Sequence, residues 1–188
     1  MPGLNQRDSC VLIIDMQVKL LPAIQEHGPL LKRVEALIRG ARLLGVPVLA
    51  TEHCADKIGG TAPVLRPWIQ DTLPKTHFDA AREPDFKDFL PPSRPCVLLV
   101  GTEAHVCVLQ TALGLLDQGL QPVVVADGVG SRHAADYELA LARCSYHRIQ
   151  LVSVEMALFE WMESAHHPKF KDVLKLIKSD QSSVAKIA

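Results

Sequence analysis

The sequence predicts an α/β fold built on a mainly parallel sheet, and two observations carry that prediction. Short apolar runs alternate along the chain with longer stretches of helical period. The runs are continuous rather than alternately apolar and polar, which is the pattern of strands buried on both faces.

Residues 10–14, Cys-Val-Leu-Ile-Ile, are rich in branched side chains and end at Asp15, as a doubly buried strand would. Over 30–44, Leu30, Leu31, Val34, Leu37, Ile38 and Ala41 repeat at helical spacing with charged residues between them, and Gly45 stops the helix. A second strand follows at 46–51, its proline near the start where a missing N–H is tolerated. Residues 52–61 contain Gly59 and Gly60 and read as a loop; 63–70 read as a short helix and 73–78 as a short strand.

The proline-rich stretch 91–95 is a turn, 96–100 a strand followed by Gly101, and 105–118 an amphipathic helix ended by Gly119. Residues 122–126 form a strand leading to an Asp127-Gly128 turn, 134–146 a helix and 149–152 a sixth strand. Helices over 153–162, with Ser153 in a first-turn position, and 168–178 complete the pattern.

A chain of 188 residues, 48% of them hydrophobic, suits one domain over 1–188 with one aliphatic core, aromatics being only 5%. The net charge of −1 argues against a nucleic-acid binder, which would need a basic stripe. No apolar run reaches the roughly 18–20 residues of a membrane span, and the first nine residues lack the apolar core of a secretory signal. The five cysteines have no paired spacing, which fits reduced thiols in a cytoplasmic protein.

In open parallel sheets, ligands sit beyond the carboxyl ends of the strands. Three predicted ends carry reactive groups: Asp15 after the first strand, Lys75 within the third, and Cys107 at the start of a helix six residues past Gly101. A helix start and a nearby ammonium would lower the thiol pKa, and the same unpaired N–H groups would hold an oxyanion. Each residue alone has a plainer reading: a small core thiol, a turn-forming Asp, a solvated Lys. Spacing does not show that the three converge.

Three stretches carry a resemblance: Val11-Leu-Ile-Ile-Asp-Met-Gln17, Leu73-Pro-Lys-Thr-His-Phe78 and Val100-Gly-Thr-Glu-Ala-His-Val-Cys-Val108. Together, in this order, they resemble the isochorismatase-like hydrolases, a family that includes nicotinamidases and carbamoyl amidohydrolases. The resemblance implies a three-layer α/β/α sandwich around a Rossmann-like six-stranded sheet. It implies Asp15 as general base, Lys75 as electrostatic partner and Cys107 as nucleophile. It also implies a cis peptide between Thr102 and Glu103, which would aim the Glu103 and Cys107 amides at an oxyanion. Thr51-Glu-His53, Gly59-Gly-Thr61 and Gly101-Thr-Glu-Ala-His105 look like the subgroup of isochorismatase-domain proteins of unassigned substrate.

Two departures narrow the expected chemistry. Nicotinamidases carry a metal-binding Asp-x-His after the second strand; here those positions are His53 and Ala55, so no metal and no cofactor are expected. Members that cleave isochorismate by protonating a vinyl ether can dispense with the cysteine, and this chain retains Cys107. An amide, carbamoyl or ester-like bond of a small molecule therefore fits best. The alternatives are isochorismate-type ether hydrolysis and a non-catalytic oligomeric interaction module.

Gln17, Leu20, His53, Phe78 and His105 are the candidate pocket residues, with His53, His77 and His105 as polar lining rather than metal ligands. Leu21 and Trp68 could shape the pocket or simply pack. The partners implied are a small-molecule substrate, no nucleic acid, no membrane, and further copies of the chain in a dimer or tetramer. Phe159, Trp161 and Met162 are candidates for that interface or for packing on the chain's own sheet.

Overall fold

A computed structural model describes residues 3–181. Among them, six strands form one parallel sheet in the order β3-β2-β1-β4-β5-β6. These are β1 (Ser9–Ile14), β2 (Val48–His53), β3 (Asp71–Lys75), β4 (Cys96–Thr102), β5 (Gln121–Gly130) and β6 (Gln150–Val152). In chain order the helices are α1 (His27–Leu43), α2 (Ala55–Ile58), α3 (Phe86–Phe89), α4 (Leu109–Asp117), α5 (Ala134–Tyr146), α6 (Val154–Met162) and α7 (Phe170–Gln181). The chain winds out from β1 to β3, then returns to the other side of β1 with β4. The order therefore reverses between β1 and β4, where such sheets open a crevice at their carboxyl ends.

The alternation of side chains along each strand produces the three layers. Val11 and Ile13 of β1 join Leu98 and Val100 of β4 in a cluster with Val34, Leu37 and Ile38 of α1 and Leu158 and Trp161 of α6. Leu12 and Ile14 face the opposite way, with Leu99, Leu109, Ala112 and Leu115. Both clusters are almost wholly aliphatic, and each buried Leu, Ile or Val contributes about 1.5–3 kcal/mol relative to exposure.

Several boundaries depart from the sequence expectation, and the sheet explains them. β2 runs on to His53 because pairing with β3 sets Glu52 opposite Pro74 and His53 opposite Lys75. Glu52 and His53 are thus strand residues, not loop. Pro74 is tolerated because β3 is an edge strand. The stretch 63–70 holds only a 3-10 turn at Arg66–Trp68. The Asp127-Gly128 pair lies inside β5 rather than in a turn. The Asp127 carboxylate accepts from Val154 N at 2.8 Å while Ser153 Oγ accepts from Met156 N at 3.1 Å, so two side chains cap α6.

Trp161 and Met162, considered for an interface, are buried in this chain's own core, and Trp161 Nε1 donates to Ser9 Oγ at 3.1 Å. Phe159 is partly exposed and packs edge-on against Phe170. No helix among the described residues is long and apolar enough to cross a membrane.

Candidate active site

Three neighbouring strands end in a left-handed residue that is not glycine. Asp15 follows β1 with φ 51°, Cys54 follows β2 with φ 41°, and Glu103 follows β4 with φ 54°. Such backbone is uncommon for side-chain-bearing residues and persists where surrounding contacts enforce it. Here the contacts are visible: Thr102 Oγ1 donates to the Asp15 carbonyl at 2.7 Å, tying the ends of β1 and β4 together. Gly101, with φ 135°, makes that approach possible, since a Cβ there would stand 2.1 Å from the Ile14 carbonyl oxygen.

Asp15 and Lys75 meet at this end of the sheet. Lys75 Nζ lies 2.7 Å from Asp15 Oδ2, and both side chains are completely buried. Asp15 Oδ1 accepts from Thr51 Oγ1 at 2.7 Å. Lys75 Nζ also donates to the His77 carbonyl at 3.1 Å and stands 3.5 Å from His53 Nδ1. Burial first, and then the Lys75 charge, hold the His53 imidazole below its ordinary pKa, so it stands neutral beside the ammonium.

Cys107 joins them from the turn that follows β4. A π-helical turn at Ala104–Val108 precedes α4 and sets the Cys107 thiol within hydrogen-bonding reach of Asp15 and Lys75. The helix expected over 105–118 is thus divided, with the sulfur on the irregular turn.

Two expectations are corrected here. Helix start and ammonium were expected to lower the thiol pKa. Instead burial, followed by the Asp15 charge, pushes Cys107 up to about 12, with Lys75 offsetting only part. The resting sulfur is therefore a thiol beside a carboxylate. The Thr102-Glu103 peptide expected to be cis is not: the described chain has no cis peptide. The turn of the chain there comes from the left-handed Glu103 instead.

The candidate pocket residues separate into two groups. Gln17 is fully buried and acts as a strap: its Nε2 donates to the carbonyls of His53 and Gly59 at 3.0 and 2.6 Å, and its Oε1 accepts from His53 N at 2.9 Å. It ties the end of β2 to the loop at Gly59. His53 stacks on Phe78 with ring centroids 5.4 Å apart, and Phe78 is 51% exposed, so a run of contacts leads from the buried Lys75 to the surface. Leu20 is half-buried. His105 Nδ1 lies 3.0 Å from Ser131 Oγ and 3.5 Å from Glu103 Oε2, apart from the contacts among Asp15, Lys75 and Cys107. Among the described residues, no group of three or more His, Cys, Asp or Glu is placed to share a metal ion.

Sequence reasoning missed three supports. Thr51, quoted only as part of a motif, holds Asp15. Arg132 pairs with Glu103 at 2.9 Å, joining the loop after β4 to the approach to α5. Glu83 takes three donors on one oxygen: Thr76 N at 2.7 Å, His77 N at 2.9 Å and His77 Nδ1 at 3.0 Å. No periodicity or spacing marks a lone Glu in a loop as the anchor of a distant turn.

Sheet order and layering place the protein among the α/β proteins built on one parallel sheet. Within that class the chain belongs to the isochorismatase-domain family, whose domain matches residues 9–156. It is 35% identical over 172 residues to isochorismatase domain-containing protein 2 of Rattus norvegicus, covering 90% of this chain and 81% of that one. It is 33% identical over 179 residues to isochorismatase domain-containing protein 1 of Danio rerio, covering 94% of this chain but only 63% of the relative. Among solved structures, one described as MAR1 ribonuclease from Caenorhabditis elegans superposes with a TM-score of 0.89 at 33% identity, covering 94% and 93% of the two chains.

Proposed function

We propose that the protein hydrolyses a C–N bond, amide or carbamoyl, or an ester-like bond of a small molecule through a covalent thioester on Cys107. The observation that supports this most is the buried Asp15–Lys75 pair at 2.7 Å with the Cys107 thiol beside both groups. A carboxylate within hydrogen-bonding reach of the sulfur is placed to take the thiol proton.

The steps balance without a cofactor. Asp15 removes the Cys107 proton as sulfur bonds to the substrate carbonyl carbon, and the carbonyl electrons move to oxygen. Backbone amides at Glu103 and Cys107 would meet that oxyanion. The tetrahedral adduct collapses, the C–N or C–O bond breaks, and Asp15 returns its proton to the leaving group. Water, deprotonated by Asp15, then attacks the thioester and releases the acid and the thiol. Lys75, 2.7 Å from the carboxylate, holds it in place through these steps.

A second reading is isochorismate-type ether hydrolysis, which can proceed without a thiolate; the burial of the Cys107 thiol favours it. In that reaction a protonated Asp15 would donate to the vinyl ether and Cys107 would take no part. A panel of amides, carbamoyl compounds, aryl esters and isochorismate separates the two, with RNA added because of the name carried by the C. elegans structure. Cys107→Ala is expected to abolish acyl hydrolysis. Retained ether hydrolysis in that variant, with no acyl turnover in the unsubstituted protein, would establish the second reading.

A further inference from the structure

The loop after β3 carries a carboxylate that the proposed reaction does not use. Glu83 lies eight residues beyond Lys75 in the sequence, at the end of a 3-10 turn over Ala80–Arg82. Its Oε1 accepts both backbone N–H groups of the turn that follows β3, Thr76 and His77, and also faces the His77 ring. Three donors on one oxygen fix the path of the chain at 76–77. The carbonyl of that same His77 accepts from Lys75 Nζ at 3.1 Å. The grip of Glu83 on the turn is thereby passed back to the ammonium, whose other neighbours are Asp15 at 2.7 Å and His53 at 3.5 Å.

We infer that Glu83 is a positioning residue: by pinning the turn after β3 it sets where the Lys75 charge stands beside Cys107. The inference rests on the reading that Cys107 is the nucleophile and Lys75 its charge partner. Burial alone would raise the Glu83 pKa, but the two amides and the His77 ring outweigh it and hold the carboxyl at about 2, so the clamp is charged throughout the neutral range. Burial opposes ionisation of the sulfur most; of the charged groups beside it, Asp15 opposes it further and Lys75 favours it. A Lys75 ammonium that drifts leaves Asp15 unopposed, and the thiol becomes harder to ionise.

The sign of that effect makes the test decisive. Removing a negative charge that acted only through space would lower the thiol pKa, whereas loosening Lys75 would raise it. The rate of Cys107 alkylation by iodoacetamide is measured against pH in a Cys54→Ser background, with Cys107 modification read by peptide mass spectrometry. Glu83→Ala is expected to lower the alkylation rate roughly tenfold at fixed pH below the thiol pKa, where the rate follows the thiolate fraction. Glu83→Gln, whose amide oxygen still accepts from both backbone N–H groups, is expected to stay near the parent. Glu83→Asp keeps the charge but is one methylene short of the turn, and it is expected to slow alkylation as Ala does; it also serves if Ala fails to fold. An unchanged or raised rate in Ala and Asp would overturn the inference. The alkylation reads ionisation without turnover, so a protein that cleaves no compound in the panel contradicts the hydrolase reading and leaves this result to stand on its own.

Discussion

Lys75 Nζ and Asp15 Oδ2 stand 2.7 Å apart with both side chains removed from solvent. Two charges so placed are strongly coupled: desolvation opposes each, and their mutual attraction offsets it. Breaking such a pair leaves one buried charge uncompensated. Lys75→Met is therefore expected to destabilise the protein by about 3–5 kcal/mol in urea denaturation. Asp15→Asn combined with Lys75→Met is expected to lose less than the sum of the two single changes, because no lone charge remains. Additive losses would show that the pair is not coupled.

The same pair governs the sulfur. Asp15 raises the Cys107 pKa and Lys75 lowers it, so Asp15→Asn removes the opposing charge and leaves the favouring one. Alkylation of Cys107 in this variant is expected to begin at lower pH, by one unit or more, while acyl hydrolysis is lost for want of a base. Easier ionisation with less activity separates the two roles of one carboxylate. A profile shifted upward would contradict the assignment of Asp15 as the charge that holds the thiol neutral.

The close approach of β1 and β4 rests on Gly101. A Cβ there would fall 2.1 Å from the Ile14 carbonyl oxygen, at a φ of 135° that other residues rarely adopt. Gly101→Ala is expected to cost at least about 2 kcal/mol by forcing the strand ends apart. Because Thr102 is bonded to the Asp15 carbonyl, the same change is expected to reduce turnover well before it unfolds the protein. Melting temperature and kcat measured on one preparation test both halves.

Glu83 also gives the protein a defined response to acid. Its folded pKa of about 2 lies below the ordinary 4.5, so its contribution is fully present above the ordinary value and disappears as pH falls toward 2. Glu83→Gln is expected to be less stable than the parent at pH 6 by about 1 kcal/mol, since water reaches part of the site and screens it. That gap is expected to close between pH 4.5 and 2. Urea denaturation at three pH values checks it, and a gap that widens in acid would contradict the clamp.

Much of the scaffold was legible in sequence because strands buried on both faces leave continuous apolar runs. The runs at 10–14 and 96–100 and the stripe at Leu30, Val34, Leu37 and Ile38 locate β1, β4 and α1 within a few residues. Boundaries at the site end slipped because pairing, not composition, decides them: His53 is a strand residue through its register with Lys75. Asp15, Lys75 and Cys107 were visible within motifs, but their meeting depends on the order β3-β2-β1-β4, which no local pattern encodes. The thiol pKa was misjudged because a helix start is readable in sequence and the depth of burial is not. The supports Thr51, Glu83 and Arg132 act across 36, 6 or 7, and 29 residues of chain, and spacing carries no trace of such pairings.

The account stands on covalent capture of an acyl group by Cys107. Rapid mixing with p-nitrophenyl acetate, acid quench within the first turnover and peptide mass spectrometry test this directly. An acetyl group on the Cys107 peptide is expected to appear with a burst of nitrophenol, to decay with steady-state turnover, and to be absent in Cys107→Ala. Sustained hydrolysis by Cys107→Ala at the parent rate, with no acyl group on the parent peptide, would contradict it.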